Sequence, residues 1–96
     1  MINSFGNQLT KDLYEDKKSR LTSRFPYELI RISRRKLQYI DEADSLNDLK
    51  APPGNRLEAL KGNLKGYYSI RINNQWRIIF KYESGSFWDV TICDYH

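Results

Sequence analysis

The run Ala51-Pro52-Pro53-Gly54 constrains the fold more than any other feature of the chain. Two consecutive prolines and a glycine cannot sustain a helix, so they split the sequence into halves with different periodicity. Before the break, apolar residues recur at helical spacing. Leu9 and Leu13 stand four apart within Asn7 to Lys17, which predicts a first helix. From Pro26, a residue suited to a first helical turn, Leu29, Ile30, Leu37 and Ile40 form a stripe flanked by Ile32 and Tyr39. Arg31, Arg34, Arg35 and Lys36 cover the other faces of this second helix, which is expected to reach Ala43. Lys17-Lys18-Ser19-Arg20 reads as a basic loop, and Ser45 as the cap of a short turn over Leu46 to Leu49. Met1 to Phe5, anchored by Ile2 and Phe5, reads as a brief first strand.

After Asn55 the pattern is that of strands. Leu57 and Leu60 suit a short one, and Lys61-Gly62-Asn63 a turn. Tyr67 to Ile72 alternates, while Trp76 to Tyr82 and Phe87 to Cys93 are rich in aromatic and β-branched residues. Asn73-Asn74, by tolerance of positive φ, and Ser84-Gly85-Ser86 are the expected hairpin turns. Of the two tryptophans, both Trp76 and Trp88 are expected in the core. The class is α+β: a short N-terminal strand and two helices packed on one face of an antiparallel sheet, in one domain spanning residues 1–96.

Composition narrows the partners. The 96 residues carry 16 Lys and Arg against 12 Asp and Glu, a net charge of +4 that favours an anionic partner such as nucleic acid or an acidic protein. Cys93 is the single cysteine, which excludes an internal disulfide and fits a reducing cytoplasm. The start lacks the pattern of a signal peptide, and no stretch is apolar enough to span a bilayer, so a cytoplasmic location without membrane contact is expected. One cysteine and one histidine cannot make a usual zinc site, and no glycine-rich phosphate loop or Ser-His-Asp arrangement is readable. No metal or cofactor is expected.

Three segments carry a family resemblance. Pro52-Pro53-Gly54-Asn55-Arg56-Leu57-Glu58-Ala59-Leu60-Lys61-Gly62 resembles the loop and strand that precede the sheet in HigB-type toxins. Tyr68-Ser69-Ile70-Arg71-Ile72-Asn73-Asn74-Gln75-Trp76-Arg77-Ile78-Ile79-Phe80 is similar to that family's central hairpin, and Asp94-Tyr95-His96 to its terminus. The resemblance implies a fold of the RelE/ParE superfamily and ribosome-dependent cleavage of translated messenger RNA. It implies as partners a helix-turn-helix antitoxin (HigA-like), the ribosome with its message, and operator DNA reached through the antitoxin. The family's functional positions fall here on Lys61, Arg77, Asp94, Tyr95 and His96. Two positions depart: other HigB proteins carry an arginine where Asn73 aligns and a histidine where Glu58 aligns. Arg71, two residues before Asn73, is expected on the same sheet face and able to supply the missing guanidinium.

The chemistry can be set out without the family. Transfer starts with a 2′-hydroxyl attacking the neighbouring phosphorus, so charge builds on phosphoryl oxygens that Arg or Lys can stabilise. Acid–base groups move the attacking and leaving protons. His96 is the only imidazole, and Asp94, two residues away, shares its face if the strand continues. Trp76 facing the core would turn Arg77 outward. Taken together with the positions that the resemblance implies, the catalytic candidates are His96, Asp94, Arg77, Lys61 and Tyr95, and the RNA-binding candidates Arg71, Asn73, Lys65, Arg34 and Arg35. A ParE-like toxin that poisons DNA gyrase, and a decayed homologue that only binds its antitoxin and operon, are the alternatives from other functional classes.

Overall fold

The computed structural model describes residues 1–94. Its helical half holds α1 (Gln8–Tyr14), α2 (Arg20–Arg24) and α3 (Ile30–Glu42), and its second half a four-stranded sheet of β1 (Glu58–Ala59), β2 (Tyr68–Arg71), β3 (Trp76–Glu83) and β4 (Ser86–Asp94). The strands are antiparallel neighbours in chain order. This is the expected α+β architecture, with one helix more than anticipated. Ser19, read as part of a loop, instead caps α2: its hydroxyl accepts the Thr22 N–H while Thr22 Oγ1 accepts the Ser19 N–H. The other boundaries follow local chemistry. Asn7 caps α1, Pro26 precedes a 3₁₀ turn (Tyr27–Leu29) that leads into α3, and Ser45 with Asp48 closes a capping box on the Leu46–Lys50 turn.

The expected first strand is present only as two isolated parallel bridges, Ile2 to Phe87 and Phe5 to Val90. They cover the outer edge of β4. Phe87 N–H donates to the Met1 carbonyl at 2.9 Å, Val90 N–H to the Ser4 carbonyl at 3.0 Å, and Ile92 N–H to Thr10 Oγ1 at 2.8 Å. An edge satisfied this way offers no ladder to another chain. Gly6 is required here, since a Cβ would lie 2.0 Å from Thr91 Oγ1.

The helices pack on one sheet face around Leu13, Phe25, Leu37, Ile40, Ile70, Ile78, Phe80, Phe87, Val90 and Ile92, all buried. In β4 the buried positions step from Phe87 to Val90 and then Ile92, which strict alternation forbids. A register shift between Ile79 and Lys81 and a positive φ of 53° at Asp89 absorb the extra residue, so all three side chains face the core. Ser84 and Gly85, at φ 53° and 78°, make the β3–β4 hairpin as anticipated.

Three expectations need correction. Asn73 and Asn74 are not among the positive-φ residues; Asn73 Oδ1 instead accepts the N–H groups of Gln75 and Trp76 at 2.9 and 2.7 Å, an Asx turn. Trp76 packs edge-on against Phe25, but Trp88 is 38% exposed, since it follows core-facing Phe87 and so lies on the opposite face. Lys36 does not cover a solvated helix face: it is 7% exposed.

Candidate functional site

Alternation decides which side chains share the sheet face turned away from the helices. Ile70 and Ile78 point into the core, so Ser69 and Arg71 on β2 and Arg77 on β3 point the other way. Register then aligns them. Arg71 is the direct partner of Arg77, and Arg77 of Cys93, so one row crosses three strands. In the next row Glu58 pairs with Ser69, and Ser69 with Ile79.

Arg77 is fixed at the centre of this patch. Its Nε donates to Ser69 Oγ at 2.9 Å, and its Nη2 donates to the Arg56 carbonyl at 3.1 Å and pairs with Glu58 Oε1 at 3.1 Å. Only 11% of its side chain is exposed. A guanidinium held by a hydroxyl, a carbonyl and a carboxylate has little freedom left, which is the condition for orienting a phosphate. Arg56 occupies the left-handed region at φ 46° without being glycine, a conformation costing on the order of 1 kcal/mol or more. That turn precedes β1 and carries the carbonyl that Arg77 uses. Arg71 is half-buried, and its guanidinium donates to Asn74 Oδ1 across the turn. Register sets Arg71 beside Arg77, a pairing that its spacing from Asn73 does not reveal, whereas Asn73 Oδ1 is committed to the turn.

The other candidates are spread around this patch. Lys61 and Lys65 are exposed in the loop between β1 and β2. Asp94 ends β4 as the direct partner of core-facing Trp76, so alternation starts it on the sheet face opposite Arg77 and Cys93; it accepts from Gln75 Nε2 at 2.9 Å. Tyr95 and His96 lie outside the described residues. Arg34 and Arg35 belong to the helical layer. Arg34 Nε donates to the Leu13 carbonyl at 2.9 Å and faces Asp16 at 3.7 Å, so it ties α3 to α1; Arg35 is exposed. A cleft of about 420 Å³ also lies on that layer, lined by Asp16, Tyr27, Glu28, Ile30, Arg31 and Arg34, and none of its lining residues is on the sheet.

Two residues near the patch escaped the sequence reading. Glu58 was noted only as a departure from the family, yet it is the carboxylate ion-paired to Arg77. Lys36 was counted as surface charge, yet its ammonium is buried and donates to the Arg71 carbonyl at 2.5 Å and to the Gly54 carbonyl at 3.5 Å. Burial, with Arg71 and Arg77 nearby, pushes Lys36 below the ordinary lysine range. Burial likewise pushes the Cys93 thiol up, the Arg77 guanidinium opposing and Asp94 adding to the effect. Among the described residues no group of His, Cys, Asp and Glu could hold a metal ion, and no helix is long and apolar enough to cross a membrane.

Comparison with known proteins agrees with this arrangement. The HigB-like toxin family, described as the RelE-like toxin of type II toxin–antitoxin system HigB, matches residues 3–96. Toxin HigB-1 of Vibrio cholerae is 43% identical over 86 residues, 88% of this chain and 87% of that protein. Endoribonuclease HigB of Proteus vulgaris is 33% identical over 96 residues, the whole of both chains. In fold the chain is similar to a chain of the YoeB–YefM complex from Staphylococcus aureus (TM-score 0.61, 23% identity, 100% and 98% of the two chains). It is also similar to a YoeB/ParE toxin from Agrobacterium tumefaciens (TM-score 0.56, 20% identity, 100% and 99%). With the family matched over residues 3–96, the chain belongs to the HigB-like toxins, the RelE-like toxins of type II toxin–antitoxin systems.

Proposed function

We propose that this toxin is a ribosome-dependent endoribonuclease that cuts translated messenger RNA and so arrests growth, and that a helix-turn-helix antitoxin holds it inactive in the cytoplasm. The observation that carries the reading is the row of Arg71 and Arg77 on the sheet face turned away from the helices, with Arg77 held in place before any substrate arrives. In this reading a phosphate enters against that row. Arg77 and Arg71 stabilise the charge that develops on the phosphoryl oxygens as the 2′-hydroxyl attacks, and Lys61 and Lys65 attract the flanking backbone. In the free protein Glu58 neutralises Arg77. An arriving phosphate competes with that carboxylate, which is then placed to accept the 2′-hydroxyl proton. His96, with Asp94 two residues before it, returns a proton to the leaving oxygen, and Tyr95 stacks on a base. Arg34 and Arg35 are on the helical layer, away from the scissile phosphate: Arg34 braces α3 against α1, and exposed Arg35 adds at most a weak contact with ribosomal RNA or the antitoxin.

Positioning by the ribosome matters because alignment can supply roughly 7–11 kcal/mol of a barrier. A small set of groups without it would cut free RNA slowly. The test is induction of the chain without its antitoxin, followed by mapping of transcript ends. New ends inside translated codons are expected, together with growth arrest. His96→Gln should keep ribosome co-sedimentation and slow cleavage by about 10²-fold or more, the scale of an acid–base group. Arrest with intact messages and inhibited gyrase would replace this reading with the ParE-like one, and no arrest at all with a partner-binding homologue.

A further inference from the structure

Lys36 is the buried cation that the reaction just outlined leaves unused. Its side chain leaves α3 and ends against backbone, on the carbonyls of Arg71 and Gly54 at 2.5 and 3.5 Å. No acidic side chain among the described residues makes an ion pair with it. Two further cations, Arg71 and Arg77, are close enough to disfavour its charge. Burying an ammonium without a carboxylate is costly, and a methionine of similar length would fill the same space. Packing therefore does not account for a lysine here. What distinguishes the two carbonyls is where they sit. One belongs to Arg71 itself. The other lies two residues before Arg56, whose own carbonyl accepts from Arg77. A single ammonium thus bridges the end of β2 to the turn that holds Arg77, and ties both to the helical layer.

We propose that Lys36 is a positioning residue for the RNA site, fixing the backbone of Arg71 and of the Gly54–Arg56 turn so that both guanidinium groups meet a phosphate in one geometry. The inference rests on the nuclease reading above for its effect on rate, and on the geometry alone for its effect on the backbone. Misplacing a reacting group by about 1 Å can cost on the order of 10²-fold, so loss of this bridge should lower turnover rather than affinity.

The experiment compares the unaltered chain with Lys36→Met and Lys36→Gln, using ribosomes programmed with a defined message and, separately, amide hydrogen exchange. Lys36→Met is expected to lower kcat about tenfold while KM stays within about twofold, the signature of an interaction used in the transition state. Lys36→Gln keeps one neutral donor and should recover part of that loss. In an Arg71→Ala background Lys36→Met should cost less than it does alone, because part of its effect is exerted through Arg71 and the rest through the turn that holds Arg77; a purely structural role would give additive losses. Exchange should quicken at the amides of Asn55, Ile72 and Asn73, with α1 unchanged. Should Lys36→Met fail to fold, Lys36→Gln decides on the same measurements. Unaltered kcat in a folded variant, full additivity with Arg71→Ala, or unchanged exchange at those amides would each overturn the proposal. If the unaltered chain itself cuts no message, the nuclease reading falls and the exchange data alone decide the fate of Lys36.

Discussion

Arg77 on β3 and Arg35 on α3 carry the same side chain under opposite constraints. The first is 11% exposed and bound by a serine, a carbonyl and a glutamate; the second is exposed on its helix. Arg34 stands between them, spending its Nε on the Leu13 carbonyl to hold two helices together. Net charge treats these residues alike, but a site needs the charge immobilised. A guanidinium already oriented loses little entropy when a phosphate arrives, whereas a solvated one must be ordered first. In the proposed function, sheet and helix in this molecule therefore divide the arginines into those held ready to meet a phosphate and those that attract or brace.

The sharpest break of that division is Arg77→Ala. Cleavage on programmed ribosomes should fall by about 10²–10³-fold, the scale for one transition-state donor, while Arg35→Ala stays within about twofold. Equal losses in the two variants would erase the distinction. Arg77→Lys should recover only part, since the planar fork that reaches Ser69 and Arg56 together is gone. Next comes the pair at the β2–β3 turn. Arg71→Ala should be nearly as damaging as Arg77→Ala, whereas Asn73→Ala should cost about 1 kcal/mol of stability through its two lost turn hydrogen bonds and leave turnover close to normal. The reverse ranking would restore Asn73 as the RNA contact. Arg34→Ala removes a hydrogen bond to the end of α1, so a loss of about 1 kcal/mol, or roughly 4–8 °C in Tm, is expected with cleavage intact.

The smallest effect concerns pH and lies in the helical layer. Hydrogen bonds from Gln8 Nε2 and Ser19 Oγ, at 2.7 and 2.8 Å, hold the Asp12 carboxyl below its usual range. A carboxylate depressed in the folded state stabilises above its unfolded pKa, near 3.8, and that contribution fades as pH falls toward the folded value. The Tm difference between the unaltered chain and Asp12→Asn should therefore shrink from pH 6 to pH 3. A constant difference would mean that Asp12 acts through shape alone.

Much of this was legible beforehand, for identifiable reasons. Helix stripes, the double proline and the Ser-Gly turn are local signals, and they located α1, α3, the break and the β3–β4 hairpin. The outward turn of Arg77 followed from alternation after Trp76, but that Arg71 lies directly beside it is a matter of register between β2 and β3. What escaped depends on contacts between distant parts of the chain. Nothing near Lys36 says that its stem crosses to the Arg71 carbonyl, 35 residues away. Nothing near Glu58 says that register will set it against Arg77. The bulge at Asp89 is foreshadowed by the three-residue step from Phe87 to Val90, a cue that the run of β-formers obscures. Capping by Ser19 was readable from Ser-x-x-Thr, but the lysines beside it suggested a loop instead.

The bridges from Ile2 to Phe87 and from Phe5 to Val90 join segments 85 residues apart. Because β4 lies between β3 and that first segment, the helices have no completed sheet to pack on until Ser86 to Val90 have been made. Contacts of such long sequence separation slow folding and make it cooperative. A nascent or truncated chain lacking β4 should thus hold no folded sub-part, and the arginine row should be assembled in one late step.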